Sequence, residues 1–200
     1  MAQAIRQHRD ELSALDAALG DGDHGFNMDA AMQAAVAAIH HKAFETPAQL
    51  LMMVGNTLIN EMGGASGIIF GSFFSGGGRA VKGRPALGLA DLIAFFEHGT
   101  AKVQKRGKAK AGDKTVVDVL IPALAALQTA HDEEATITGA VQAAADAAQT
   151  GARSTKEMVA KHGRAKFLGE RSVGHQDAGA TSMALMLVAC AKTLTYEEKV

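Results

Sequence analysis

Residues 15–28 read Leu-Asp-Ala-Ala-Leu-Gly-Asp-Gly-Asp-His-Gly-Phe-Asn-Met, and the architecture can be built outward from them. The first five continue an alanine-rich helical pattern that begins near Ala4 and stops at Gly20. The last three open a second helical pattern, in which Met28, Met32, Val36 and Ile39 recur close to helical spacing. Between the two, glycine and aspartate alternate. Asp21 and Asp23 fall on a loop with Gly20, Gly22 and Gly25, and Asp16 projects from the last turn of the preceding helix. Three clustered carboxylates repel one another and invite a hard cation, and Mg²⁺ takes oxygen ligands that water and phosphate commonly complete. The free N–H groups of the following helix would face such phosphates. The other reading is a solvated Gly-Asp turn. An EF-hand loop starting at Asp21 is excluded, because its sixth and twelfth positions are Phe26 and Met32 instead of Gly and Glu. An aspartyl nucleophile at a strand end is excluded too, since helix precedes it.

The helical pattern continues along the chain. Thr46-Pro47-Ala48-Gln49 is a helix start, with Thr46 as cap, Pro47 in the first turn and Gln49 at the capping-box position. Leu51, Val54, Leu58 and Met62 carry that helix to Gly63-Gly64. Phe70, Phe73 and Phe74 mark a helix after Ser66, and Gly76–Gly88 reads as a basic, flexible loop. Further helices are expected from Leu89 through Val103, from Thr115 to Ala130 with a kink at Pro122, from Thr136 to His162 with a break at Gly151, and from Ala178 to Thr195. No strand alternation stands out. About eight helices with short connections favour antiparallel neighbours, hence an all-α fold.

Composition narrows the function classes. The 200 residues suit one domain with a substantial core. Twenty Lys and Arg against 21 Asp and Glu leave a net charge of −1, so no global field recruits nucleic acid or an anionic membrane. A single cysteine, Cys190, excludes an internal disulfide and a cysteine metal cage, and it is expected in the core of a protein from a reducing compartment. The polar N-terminus shows no signal peptide, and no apolar run is expected to reach the roughly 18 residues of a membrane span.

Three more segments hold groups that chemistry could use. Gly63-Gly64-Ala65-Ser66-Gly67 is either a phosphate-binding helix start or a close-packing turn. Gly107 to Thr115 nearly spells a P-loop, but Asp113 breaks the spacing and helix precedes it. Asp113 is expected to cap the next helix, and the Lys/Arg cluster Lys102 to Lys114 to be a solvated basic surface. Gly163 to Ala180 is a polar loop in which Arg164 or Arg171 could clamp a phosphate, or simply pair with Glu170 and Asp177.

Taken in order, "LDAALGDGDHGFNM", "GGASGIIFGSFF", "GDKTVVDVL" and "GRAKFLGERSVGHQDAGATS" resemble the motifs of the L subunits of dihydroxyacetone kinases, the DhaL family, across residues 15 to 182. The resemblance implies one nucleotide-binding domain over residues 1–200, an antiparallel eight-helix barrel with the nucleotide at one end. It implies Mg²⁺ on Asp16, Asp21 and Asp23, and ADP or ATP on His24, Gly25, Phe26, Asn27, Ala65, Ser66, Gly107, Val116, Arg164, Asp177, Ala178 and Gly179. Arg164 is the expected catalytic cation. Three carboxylates and a nucleoside diphosphate bring about −6, which two Mg²⁺ reduce to about −2, so two ions are expected. Two departures stand out: few residues precede Asp16, and Ala178 replaces the family's usual Pro.

The implied function is a cytoplasmic kinase subunit that passes a phosphoryl group from Mg-bound nucleotide to dihydroxyacetone held on a separate K subunit. The ADP would be rephosphorylated by an M subunit of the phosphotransferase system. The chain is expected to be a separate subunit and a homodimer, with neither nucleic acid nor membrane as partner. The alternatives are an ATP-dependent L subunit for a related sugar, and a regulatory module that binds a transcription activator.

Overall fold

The computed structural model describes residues 1–197, and these form helices without a strand. The α-helices are α1 Ala2–Gln7, α2 Arg9–Ala17, α3 His24–Ile39, α4 Pro47–Met62, α5 Gly64–Ala80, α6 Leu89–Gly107, α7 Val117–Asp132, α8 Ile137–Ser154 and α9 Ala178–Glu197. Two 3₁₀ segments, Thr155–Glu157 and Ala165–Ser172, lie between α8 and α9. The expected first helix is two helices, because the backbone turns at His8 (φ −106°, ψ 12°), whose N–H reaches both Ala4 and Ile5 carbonyls. The chain packs as two compact units: residues 1–26 with 109–200, and residues 27–108.

The second unit contains α4, α5, α6 and α3 from Asn27 onward. Here α5 is the hub, and its glycines set the packing distance. A Cβ on Gly71 would overlap the Gly55 carbonyl and the Ile59 side chain of α4. One on Gly67 would stand 2.9 Å from the Leu58 carbonyl, and one on Gly78 3.1 Å from Leu51 Cβ. Partner numbers fall as α5 numbers rise, so α4 and α5 are antiparallel. The other side of α5 meets α6 in the same sense: Gly77 lies under the Phe95 ring, and Gly99 under Phe73. Phe73 makes edge-to-face contacts with Phe74, Phe95 and Phe96 at centroid separations of 5.1–5.5 Å. The expected flexible loop from Gly76 is therefore helix as far as Ala80. Glycine costs a helix about 1 kcal/mol relative to alanine, but at these positions only a missing side chain lets the helices and rings close up.

In the first unit, α8 packs between α7 and α9. Its Ala140, Ala144, Ala148 and Ala152 recur every four residues and are buried, which gives α8 one smooth face. Thr136 caps it by accepting from Gly139 N at 3.1 Å. The expected break at Gly151 is absent. Pro122 cannot donate to the Asp118 carbonyl four residues back, and Gly151 lets α8 press against that same oxygen, where any Cβ would overlap. The helix ends instead at Ser154.

Helix α9 is long and apolar enough by composition to cross a membrane, contrary to the expectation from sequence. Within the first unit its Ala180, Met183, Ala184, Met186 and Ala191 are buried. Cys190 is half-buried, not a core residue. Thr46 stands at the α4 start without a side-chain cap, and Gln49 accepts instead from Glu45 N at 2.9 Å.

Candidate metal and nucleotide site

The three expected metal ligands come together. Asp16 lies in the last turn of α2, where Leu19 N and Gly20 N both fold back onto its carbonyl, at 2.9 and 2.5 Å. The turn is tight enough that a Cβ on Gly20 would sit 2.8 Å from Asp16 Oδ1. Gly22 continues it at φ +77°, a conformation open to glycine. One carboxylate oxygen from each of Asp16, Asp21 and Asp23 lies within 4.8 Å of the others. Asp16 is half-buried, while Asp21 and Asp23 are exposed. An all-oxygen set, open on one side, suits a hard divalent cation that keeps positions for water or phosphate.

The start of α3 is built onto this cluster. His24 N donates to Asp16 Oδ2 at 3.2 Å. The His24 ring is buried, and Nε2 lies 2.8 Å from Ser182 Oγ. Ser182 spends its proton on the Ala178 carbonyl at 3.0 Å, so His24 Nε2–H is the donor in that pair. Burial pulls the His24 pKa below the usual histidine value, with Asp16 and Asp23 opposing. Gly25 is fixed by packing: a Cβ there would overlap the Arg9 carbonyl and come within 2.7 Å of Ser13 Oγ. Phe26 is 52% exposed, with the Arg9 guanidinium 4.8 Å from its ring centroid. The sequence reading did not single out Arg9, because nothing local ties it to Phe26.

Arg164, at the head of the second 3₁₀ segment, is ion-paired with Asp21. This places the expected catalytic cation on an expected metal ligand, and not on Glu170 or Asp177. Asp177 opens α9: its Oδ2 accepts from Ala180 N at 2.7 Å, and a Cβ on Gly179 would press on that oxygen at 3.2 Å. Burial pushes the Asp177 carboxyl up to about 6, helped by the charges of Asp118 and Asp16 and opposed by the Ala180 N–H and Lys114. Ala178 is buried at the first turn of α9. Val116 is buried just before α7 and accepts from Leu120 N at 3.0 Å.

Asp113 does not cap α7. It accepts from Lys110 N at 2.9 Å and pairs with Lys161 and His162, each at 3.1 Å. Asp118 takes up the loop instead, accepting from Gly112 N at 2.5 Å and Thr115 N at 2.7 Å. Lys114, expected on a solvated surface, is only 2% exposed.

The other expected contacts belong to the second unit. Asn27 follows in α3, Ala65 and Ser66 lie in the first turn of α5 and are exposed and half-buried, and Gly107 closes α6. A separate cleft of about 570 Å³ in the first unit is lined by Ile121, Pro122, Asp146, Thr150 and Met158 among others, and none of the expected site residues lines it.

Comparison with known proteins identifies the family. The family model for the DAK2 domain matches residues 18–192. The chain is 40% identical, over 88% of its length and 84% of the relative's, to the ADP-binding subunit DhaL of the PEP-dependent dihydroxyacetone kinase of Escherichia coli (strain K12). It is 38% identical, over 94% and 87%, to the corresponding subunit of dihydroxyacetone kinase 2 of Listeria innocua. Among solved structures it resembles the C. freundii dihydroxyacetone kinase in complex with AMP-PNP and Mg²⁺, with a TM-score of 0.72 and 30% identity, over 96% of this chain. It spans about a third of that longer protein (32%). An acidic triad at a helix start, an arginine poised on it and a family model covering most of the chain lead to one assignment: this protein belongs to the DAK2 domain family.

Proposed function

We propose that this chain is the nucleotide-carrying subunit of a dihydroxyacetone kinase. The observation that carries the reading is the Asp16, Asp21 and Asp23 cluster, with the His24 start of α3 hydrogen-bonded to it. The relatives named as ADP-binding subunits and the neighbour solved with AMP-PNP and Mg²⁺ support it. Two Mg²⁺ bound at the triad would neutralise phosphate charge and align the transferring oxygens.

The residues then divide the work. His24 and Asp16 hold the helix start that faces the phosphates. Arg164 presents a mostly exposed guanidinium, free to follow charge as it shifts between phosphoryl oxygens. The Asp177-Ala178-Gly179 turn holds the nucleotide from the α9 side. Contacts from Gly25, Phe26, Asn27, Ala65, Ser66, Gly107 and Val116 rest on the family resemblance. Phosphoryl transfer depends mainly on positioning and charge neutralisation, and this chain offers both without a recognisable grip for a three-carbon sugar. The sugar is therefore assigned to a K subunit. Relatives named as PEP-dependent favour rephosphorylation of bound ADP by a phosphotransferase M subunit.

The test is calorimetry of ADP with and without Mg²⁺. Asp21→Asn and Asp23→Asn should each abolish Mg²⁺-dependent binding while circular dichroism stays helical. Unchanged affinity in both variants removes the site. Denaturing the purified protein should release ADP in stoichiometric amount, and the chain alone should make no dihydroxyacetone phosphate from ATP until a K subunit is added.

A further inference from the structure

The segment from Thr155 to Asp177 leaves the end of α8 and returns beside its own start. Asp177 N donates to Thr155 Oγ1 at 3.0 Å, Gly174 N to the Lys156 carbonyl at 2.7 Å, and Ala160 N to Ser172 Oγ at 2.9 Å. It is a closed loop, with Arg164 in its course and Asp177 at its exit. The side chain at its base comes from elsewhere. Lys114 Nζ donates to the Thr155 carbonyl at 2.6 Å and to the His175 carbonyl at 2.5 Å, one on each limb.

Lys114 is itself held firmly. Its backbone is left-handed, φ +61°, a conformation uncommon for residues other than glycine. Asp118 grips the N–H groups of Gly112 and Thr115 on either side, and the neighbouring Asp113 holds Lys161 and His162, just ahead of Arg164. The ammonium is thus a buried cation with two carbonyl partners, close enough to Asp177 for the two charges to act on each other.

We propose that Lys114 is a positioning residue for phosphoryl transfer: by bonding the carbonyls of Thr155 and His175 it holds shut the loop that carries Arg164 and ends at the Asp177 turn. This rests on the reading of Arg164 and Asp177 given under Proposed function. An apolar side chain would leave the Thr155 and His175 carbonyls without this donor, and arginine would bring a planar fork where a compact ammonium fits.

The experiment uses the full chain, with ADP and Mg²⁺ as the probe. Lys114→Met should weaken Mg²⁺-dependent ADP binding at least tenfold by calorimetry. It should also speed hydrogen exchange at the amides of Gly174 and Asp177 at least tenfold, with helix content unchanged. Lys114→Gln, which keeps an N–H donor, should fall between. Leu127→Ala, a core truncation in α7, should lower the Tm without weakening ADP binding, which separates positioning from general loss of stability. Combined with Arg164→Ala, the loss from Lys114→Met should be less than additive, because the lysine acts partly through that arginine. ADP affinity within twofold of wild type in Lys114→Met overturns the inference and leaves the proposed function standing. Failure of the wild-type chain to bind Mg²⁺ and ADP overturns both. If neither variant folds, wild-type exchange decides: Gly174 and Asp177 amides as slow as the middle of α9 support the clamp, and rapid exchange there refutes it.

Discussion

Glycine serves two opposite purposes, and a set from each unit shows them. In the second unit Gly55, Gly71, Gly77 and Gly99 sit inside helices, where an added Cβ would overlap a neighbour or come within 2.7 Å of one. In the first unit Gly112, Gly163, Gly169 and Gly174 have open space where a Cβ would go, but φ between +53° and +93°. One set is needed for the absence of a side chain, the other for the backbone angle. Close packing of α4, α5 and α6 depends on the first set, and the turns around Asp113 and Arg164 on the second, while Gly25 and Gly151 bring the first purpose into the first unit as well.

Substitution can break this comparison. The largest effect is expected at Gly71→Val, which puts three carbons between α4 and α5. It should cost about 3 kcal/mol or more, seen as a fall in the urea midpoint. Next in size is ligand linkage. A hundredfold excess of ADP over its Kd, with Mg²⁺, should stabilise the chain by about 2.7 kcal/mol. In exchange experiments the added protection should be strongest around Asp16–Phe26 and Thr155–Gly179. Chelating the metal should remove it.

Gly112→Ala should cost about 1 kcal/mol, because alanine meets the left-handed penalty alone, and Gly112→Asn should recover part of that. Equal losses for Gly112→Ala and Gly112→Asn would show that space, not φ, matters there. The smallest effect is confined to acid. Burial alone would raise the Asp113 carboxyl, but the Lys110 N–H, Lys161 and His162 outweigh it and hold the group at about 2. A depressed carboxyl contributes stability above its ordinary pKa near 3.8 and loses it as pH falls toward 2. Asp113→Asn should therefore flatten the fall in Tm between pH 4 and pH 2.

What the sequence disclosed follows the range of the interactions. The acidic triad spans eight residues, so spacing alone places its carboxylates together. Helix identity was equally legible in periodic runs such as Leu51, Val54, Leu58 and Met62. Gly76–Gly78 was misread as a loop, because Gly76 and Gly77 answer to α6, whose Phe95 lies well downstream, and Gly78 to Leu51 of α4. Lys114 was misread as solvated, because its partners lie 41 and 61 residues away. Asp113 has the composition of a cap, yet its nearest duties are to Lys161 and His162, which no local pattern announces. Arg9 over Phe26 belongs to the same class.

The pairing of Arg164 with Asp21 bears on the charge balance of the acidic cluster. Three carboxylates stand close together, and the guanidinium sets one positive charge beside them. The cluster thus carries an internal counter-ion. Under the proposed function, a divalent cation would compete with a tethered side chain as well as with water, and a displaced Arg164 would stand beside the phosphates. Because both partners are partly exposed, dissolved salt weakens this tether. Under that reading the balance between arginine and metal would shift with ionic strength.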